Sequence, residues 1–236
     1  MEKILYPVWK APTLGGDEFR DLLLQQLGPE LIAAGVRGLR VSVADSEVEP
    51  AAGLRQANCR PVMDAMLSVW LDSSVFRATV EALIEARVAR MVGYLVTESE
   101  PLVNTEHPPV AGERTYGMAQ VVFLQRPRRL SEQQWLEIWH GSHSQLAIDT
   151  QSTFGYRQNV IVRPMTYAAP PFDAIIEENF PPEAMTSQHA FYGVDSDEEL
   201  QVNLQAMIDS CVRFIDFDKI DVIPTSEYLL KAITAT

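Results

Sequence analysis

The chain has 236 residues, of which 47% are hydrophobic and 22% charged, enough apolar material for two packed lobes. Its formal net charge of −13 repels phosphate backbones and anionic lipid surfaces, so neither nucleic acid nor a membrane is an expected partner. Cys59 and Cys211 form no CxxC or Cys/His cluster, the chain does not open on a basic and then apolar leader, and no apolar run approaches the ~20 residues that span a bilayer. A cytoplasmic protein without structural metal is the expectation.

Lys3 to Trp9 reads as a strand. Gly15-Gly16-Asp17 then opens a helix carrying Phe19, Leu22, Leu23, Leu27 and Leu31 at helical spacing, which ends at Gly35. Val36 to Val43 returns to strand composition, Glu47 to Pro61 reads as a loop, and Val62 to Leu71 as a third strand. Ser73 starts a helix with Phe76, Val80, Leu83, Ile84 and Val88 on one face, and Met91 to Thr97 closes the unit as a strand. The order is βαββαβ. The stretch from Ser99 to Tyr116, with three prolines and no periodicity, is a linker.

The same order then returns. Met118 to Gln125 is a strand, Ser131 an N-cap for a helix with Trp135, Ile138, Trp139, His143 and Leu146, and Phe154 to Val162 and Phe172 to Glu178 are strands. Ser196 caps a second helix, and Ile220 to Ile223 is the last strand. Lys10 precedes Phe19 by nine positions, as Arg126 precedes Trp135, and Asp64-Ala65 matches Asp173-Ala174 on the third strands. These matches predict an internal duplication: an α+β protein of tandem ferredoxin-like βαββαβ halves. The expected boundaries are 1–100 for a degenerate first half, 101–116 for the linker and 117–236 for the second half. Strands such as Ala119 to Leu124 are apolar on both faces, so the face without helices must also be buried, and a barrel-like interior able to hold a flat apolar ligand follows.

Trp135, Trp139 and His143 stand at i, i+4 and i+8 on one stripe of a helix. A histidine there is either an acid/base group beside a bound ligand or a core histidine bonded to a backbone carbonyl. Leu23 and Leu27 hold the matching positions of the first half, which points to function in the second. His140 and His143 lack a third metal ligand at motif spacing. Ser142-His143 lacks a nucleophile elbow, since no G-x-S-x-G is present. His107 sits in the linker beside two prolines, Asp195 to Glu199 is a helix N-terminal charge pattern, and Glu177, Glu178 and Asp149 are candidates for a charge relay.

The run Val122-Phe123-Leu124-Gln125-Arg126-Pro127, then Leu130-Ser131, Trp135, Trp139 and His143, then Gly155-Tyr156-Arg157-Gln158-Asn159 and Phe172-Asp173-Ala174, resembles the EthD domain of the dimeric α+β barrel superfamily. The resemblance covers about Gly117 to Tyr228, including Phe214-Ile215-Asp216, and reaches the first half only in outline. It implies an intramolecular version of a barrel that relatives build by dimerising. It also implies a cofactor-independent enzyme acting on a small hydrophobic molecule, aromatic or polyketide-like, by acid/base or oxidative chemistry. Other relatives are linked to degradation of ether compounds. His143 matches the family histidine and takes the catalytic role. Trp139, Tyr156, Asn159 and Asp173 are the implied substrate-binding residues. Arg126 either holds an anionic substrate group or is a solvated strand end. Haem bound through His143 or His189, as in other duplicated superfamily members, is the alternative to no cofactor, and a non-catalytic binding module is a third reading. Association of two chains into a homodimer is left open.

Overall fold

The computed structural model describes residues 1–233. The end of the second half as read from the sequence, 234–236, lies outside the described residues. In the first half β1 (Glu2–Trp9) leads through α1 (Gly16–Leu22), one π-helical turn and α2 (Gly28–Ala33) to β2 (Gly38–Val43). A 3-10 segment over Ser46–Leu54 and the two-residue β3 (Gln56–Ala57) occupy the expected loop. The half closes with β4 (Ala65–Leu71), α3 (Ala78–Glu85), the short β5 (Arg90–Met91) and β6 (Tyr94–Leu102). In the second half β7 (Met118–Leu124) leads through α4 (Glu132–Ile138), a π turn and α5 (Ser144–Thr150) to β8 (Gly155–Pro164) and β9 (Ala174–Phe180). Then come α6 (Gln188–Tyr192), α7 (Asp197–Phe214) and β10 (Asp221–Lys231).

The two halves have the same strand order, β6-β1-β4-β2 and β10-β7-β9-β8, and join at both edges through β6–β8 and β10–β2. The result is a closed eight-stranded antiparallel barrel with helices outside, and closure leaves no long open edge among these strands. β6 continues to Leu102, two residues into the expected linker, because its far end finds Tyr156 of β8. β10 runs well past Ile223 despite Pro224. On one side Pro224 faces Gln120, and on the other it falls between the segments paired with β3 and with β2. A gap in the ladder is where a residue without N–H is tolerated.

The matched sequence pairs have a mechanical explanation. Asp64 Oδ2 accepts from the Lys10 backbone N–H at 3.0 Å, and Asp173 Oδ2 accepts from that of Arg126 at 2.7 Å. The Lys10 ammonium donates to the carbonyl of Leu14, and the Arg126 guanidinium to that of Leu130. Each half thus fastens the end of its first strand to its third strand and to the start of its helix. At the starts of the two first helices the Glu18 carboxylate accepts from the Gly15 N–H at 2.9 Å, and Ser131 and Gln134 form a reciprocal capping box.

Side chains alternate between the outer, helix-covered face and the barrel interior. Outside lie one cluster around Ile4, Phe19, Leu23 and Leu27 and another around Trp135, Trp139, Tyr156 and Phe214. The interior departs from the expected apolar chamber. One end is apolar, with Leu5, Met66, Tyr94, Val121, Phe123 and Ile175. The other holds Lys3, Arg40 and Arg157 against Glu98, Glu100, Glu177 and Glu227. Lys3 Nζ sits 2.9 Å from Glu177, and Arg157 contacts Glu177 at 3.3 Å and also binds Glu227. Burial opposes the Glu177 charge, but Lys3, Arg157 and Arg40 outweigh it and hold the carboxyl well below the usual range.

Removing one member of such a network strands its partners. Arg157→Met should lower unfolding stability by about 3–5 kcal/mol in urea titration. A loss under about 1 kcal/mol would show that water takes over the role of the guanidinium.

Candidate functional site

The stripe of Trp135, Trp139 and His143 is not one continuous α-helix. Residues Trp139–His143 form a π turn in which the Ser144 N–H donates to the Trp139 carbonyl. The equivalent turn, Leu23–Leu27, is closed by Gly28 N–H to the Leu23 carbonyl. π turns often mark functional sites, but here both halves carry one, so the turn belongs to the fold. What differs is the side chains it presents.

His143 lies outside the barrel, between helix and sheet, and not over the interior as the sequence suggested, because the helices cover the opposite face of the strands. It is 6% exposed, its ring stands 4.6 Å from that of Phe214, and its Nδ1 is 3.0 Å from Ser210 Oγ on α7. Burial and then the Arg213 charge press its pKa down to about 4, so at neutral pH it is a neutral imidazole. It lines a cleft of about 230 Å³ with Gln120, Tyr156, Glu178, Met207 and Cys211.

Glu178 is the group that sequence reading underweighted. It projects from β9 into this cleft, and among the described residues nothing hydrogen-bonds to or ion-pairs with its carboxylate. Its side chain keeps some accessible surface where the cleft opens, and Gln120 and Tyr156 face it across the ladder without bonding to it. Desolvation alone pushes its pKa up to about 7. Tyr156, opposite it on β8, has its hydroxyl at 3.0 Å from the Trp139 indole N–H, which donates to it, and burial raises its pKa. Cys211 is raised to about 12 by burial and by Glu178, which makes it a poor nucleophile.

The ladder registers allow a position-by-position comparison of the halves. Ile4 faces Val69 and Leu39 faces Val69 in the first half, where Gln120 faces Glu178 and Tyr156 faces Glu178 in the second. With Leu27 against His143 on the π turn, four apolar core positions of one half are Gln120, Tyr156, Glu178 and His143 in the other.

The remaining expected site residues are placed elsewhere. Trp139 is fully buried behind the cleft and acts on it through Tyr156. Asn159 points into the barrel, accepting from Lys3 Nζ at 2.8 Å and donating to Glu177 at 3.1 Å. Asp173 and Arg126 brace one another at the strand end. His189 stands 3.0 Å from Asp197, and His107 stacks on Tyr116 at 4.0 Å. Among the described residues no three His, Cys, Asp or Glu side chains are grouped to hold a metal ion. The cleft beside His143 is smaller than the ~300–1,000 Å³ of sites for drug-sized ligands.

No family model matches the chain, and no curated protein matches it by sequence. Solved structures do match. An anthrone oxidase-like protein superposes with a TM-score of 0.57 at 9% identity, covering 99% of this chain and 94% of that one. A mutant chlorite dismutase from Candidatus Nitrospira defluvii gives 0.49 at 10% identity, covering 95% and 90%. The fold is that of the dimeric α+β barrel, here closed within one chain. No helix among the described residues is long and apolar enough to cross a membrane.

The two shifted groups give opposite pH signatures. Glu178 binds its proton more tightly folded than unfolded, so the native state is favoured below pH ~4.5 and loses that advantage as pH rises through about 7. Glu178→Gln should therefore gain on the order of 1–3 kcal/mol over wild type at pH 8 and little at pH 4. His143 resists protonation when folded, so stability present above pH ~6.5 falls by up to about 3 kcal/mol as pH drops toward 4. His143→Phe should flatten that fall in thermal melts across the same range.

Proposed function

We propose that the chain is a cofactor-independent enzyme that moves a proton on a small, enolisable aromatic or polyketide-like molecule held in the cleft of the second half. The observation that carries this is the exchange of Ile4, Leu39, Val69 and Leu27 for Gln120, Tyr156, Glu178 and His143 at equivalent positions of one scaffold. Polar groups placed in a helix–sheet core cost stability unless they are hydrogen-bonded, and Glu178 has no internal partner to offset that cost.

In this reading Glu178 is the base. A carboxyl with a pKa near 7 is ionised in part at neutral pH and basic enough to accept a proton from a C–H flanked by a carbonyl or an aromatic ring. His143 Nδ1 pairs with Ser210 Oγ at 3.0 Å, and in the tautomer in which Ser210 is the donor the imidazole proton lies on Nε2, free to donate to the oxyanion that develops as the carbon is deprotonated. The apolar walls, Met207, Ile176 and Val222, exclude water from that charge. The acid/base role assigned to His143 from the sequence thus becomes that of the acid of a pair. We read the second half as EthD-like and the halves as copies of one ancestral unit, a reading supported by their matched ladders and their matched Asp64 and Asp173 braces.

The test is exchange of the acidic C–H for deuterium in D₂O, followed by NMR over a panel of anthrones and other enolisable phenols. Wild type should accelerate exchange of at least one, with the rate rising through an apparent pKa near 7. Glu178→Gln should lose ~10²–10⁴-fold and the pH limb with it, and His143→Gln ~10²–10³-fold. Exchange that persists in Glu178→Gln would refute the assignment. The haem reading is separated by adding haemin: a Soret shift that His143→Gln abolishes would favour it over proton transfer.

A further inference from the structure

A second cavity, unrelated to the cleft, lies at the apolar end of the barrel interior. It has a volume of about 200 Å³ and is built from both halves, with Trp9, Met63 and Tyr94 from the first and Phe123, Phe172 and Ile223 from the second. Three of its walls are aromatic rings in contact: Phe172 stands 4.9 Å from Phe123 and 6.4 Å from Tyr94, centroid to centroid.

Two loops roof it, and both are fastened to the barrel. Asp221 Oδ1 accepts from the backbone N–H groups of Asn58 and Cys59, at 2.6 and 2.9 Å. The Trp9 indole donates to the Pro61 carbonyl at 3.1 Å, and the Tyr94 hydroxyl to the Pro170 carbonyl at 2.7 Å. A roof already held by four hydrogen bonds demands little ordering when something enters. The lining also carries two guanidinium groups. Arg90 lies over the Trp9 ring at 4.3 Å, and Arg60 stands on the exposed rim. Neither forms a salt bridge with a carboxylate among the described residues. The one carboxylate in the lining, Asp221, has its Oδ1 taken up by the Asn58 and Cys59 backbone N–H groups, so in a protein of net charge −13 the lining sets two guanidinium groups against one carboxylate, a local reversal of sign.

We infer that this chamber is a second small-molecule site, for a single aromatic ring bearing an anionic group, seated ring-down on Phe123 and Phe172 with its charge toward Arg60 and Arg90. The size agrees. An apolar cavity of ~150 Å³ holds benzene, so about 200 Å³ has room for one substituted ring. The site is independent of the acid/base reading of the cleft, with which it shares no lining residue.

The two cysteines make the test direct, because Cys59 lines this chamber and Cys211 lines the cleft. The folded wild-type protein is alkylated with iodoacetamide at pH 8.5, with and without benzoate, and each site is followed by mass spectrometry. Benzoate should slow labelling of Cys59 at least tenfold and leave Cys211 unchanged. The protection should be lost in Val92→Phe, which fills the chamber, and weakened at least tenfold in the double variant Arg60→Gln with Arg90→Gln. That double variant leaves the Phe123, Phe172 and Tyr94 walls in place and serves if Val92→Phe does not fold. Toluene should protect Cys59 equally in wild type and in the arginine variant. Equal labelling of Cys59 with and without benzoate would overturn the assignment.

Discussion

Closure of the barrel within a single chain is the constraint on which the rest depends. β6 must meet β8 and β10 must meet β2, and each junction joins strands from different halves. A lone ferredoxin-like half would expose two edges and one whole sheet face, and both liabilities disappear together when the edges pair. The long β10, with its proline where one side of the strand is unpaired, and the extension of β6 to Leu102 are the segments that make the two junctions. Eight strands enclose an interior just wide enough for side chains to fill, so what fills it decides whether the junctions hold.

The filling is divided. At one end Arg40 and Arg157 occupy equivalent ladder positions, opposite Ser68 and Glu177, and Glu98 and Glu227 each lie two residues beyond equivalent partners of the first strands. The pseudo-twofold relation of the halves thus places like charges near one another. Lys3 and Glu177, which have no charged counterparts at Ala119 and Ser68, break the symmetry and link the set. A buried network of this kind is weak evidence for added stability but strong evidence for register, since any slip of one residue would turn charged groups into the helix-packed faces. At the other end the interior turns apolar and leaves the chamber beneath the two roof loops.

Much of the fold was legible in the sequence because it is written in periodicity and in caps. Ser131 and Ser196 cap the helices they were expected to cap, and the paired Asp64 and Asp173 sit where matched sequence placed them. The site was legible only in part. His143 could be found because a histidine on a tryptophan stripe stands out, and Tyr156 because it follows a recognisable Gly. Glu178 could not be separated from Glu177 by sequence. The two are adjacent on one strand, so one faces the charged interior and the other the cleft, and period-two alternation alone does not say which. Asn159 and Arg157 were hidden for the same reason: burial of charge inside the barrel depends on partners from Lys3 to Glu227, far apart in the chain.

The asymmetry of the halves then has an energetic logic. In the first half Ile4, Leu39, Val69 and Leu27 are all buried in one cluster, and each contributes ~1.5–3 kcal/mol of transfer free energy. Putting Gln120, Tyr156, Glu178 and His143 in their places forfeits much of that and adds desolvation penalties. Trp135 and Trp139 recover part of the loss: both are buried, and their N–H groups are satisfied by the Phe214 carbonyl and the Tyr156 hydroxyl. The remainder is borne by the closed barrel as a whole, because the second half cannot unfold without breaking both junctions with the first. A half that is locked at both edges to a twin whose helix-covered face is apolar can tolerate an unpaired carboxyl in its own core. A free-standing copy of the same sequence would face that cost with two open edges as well.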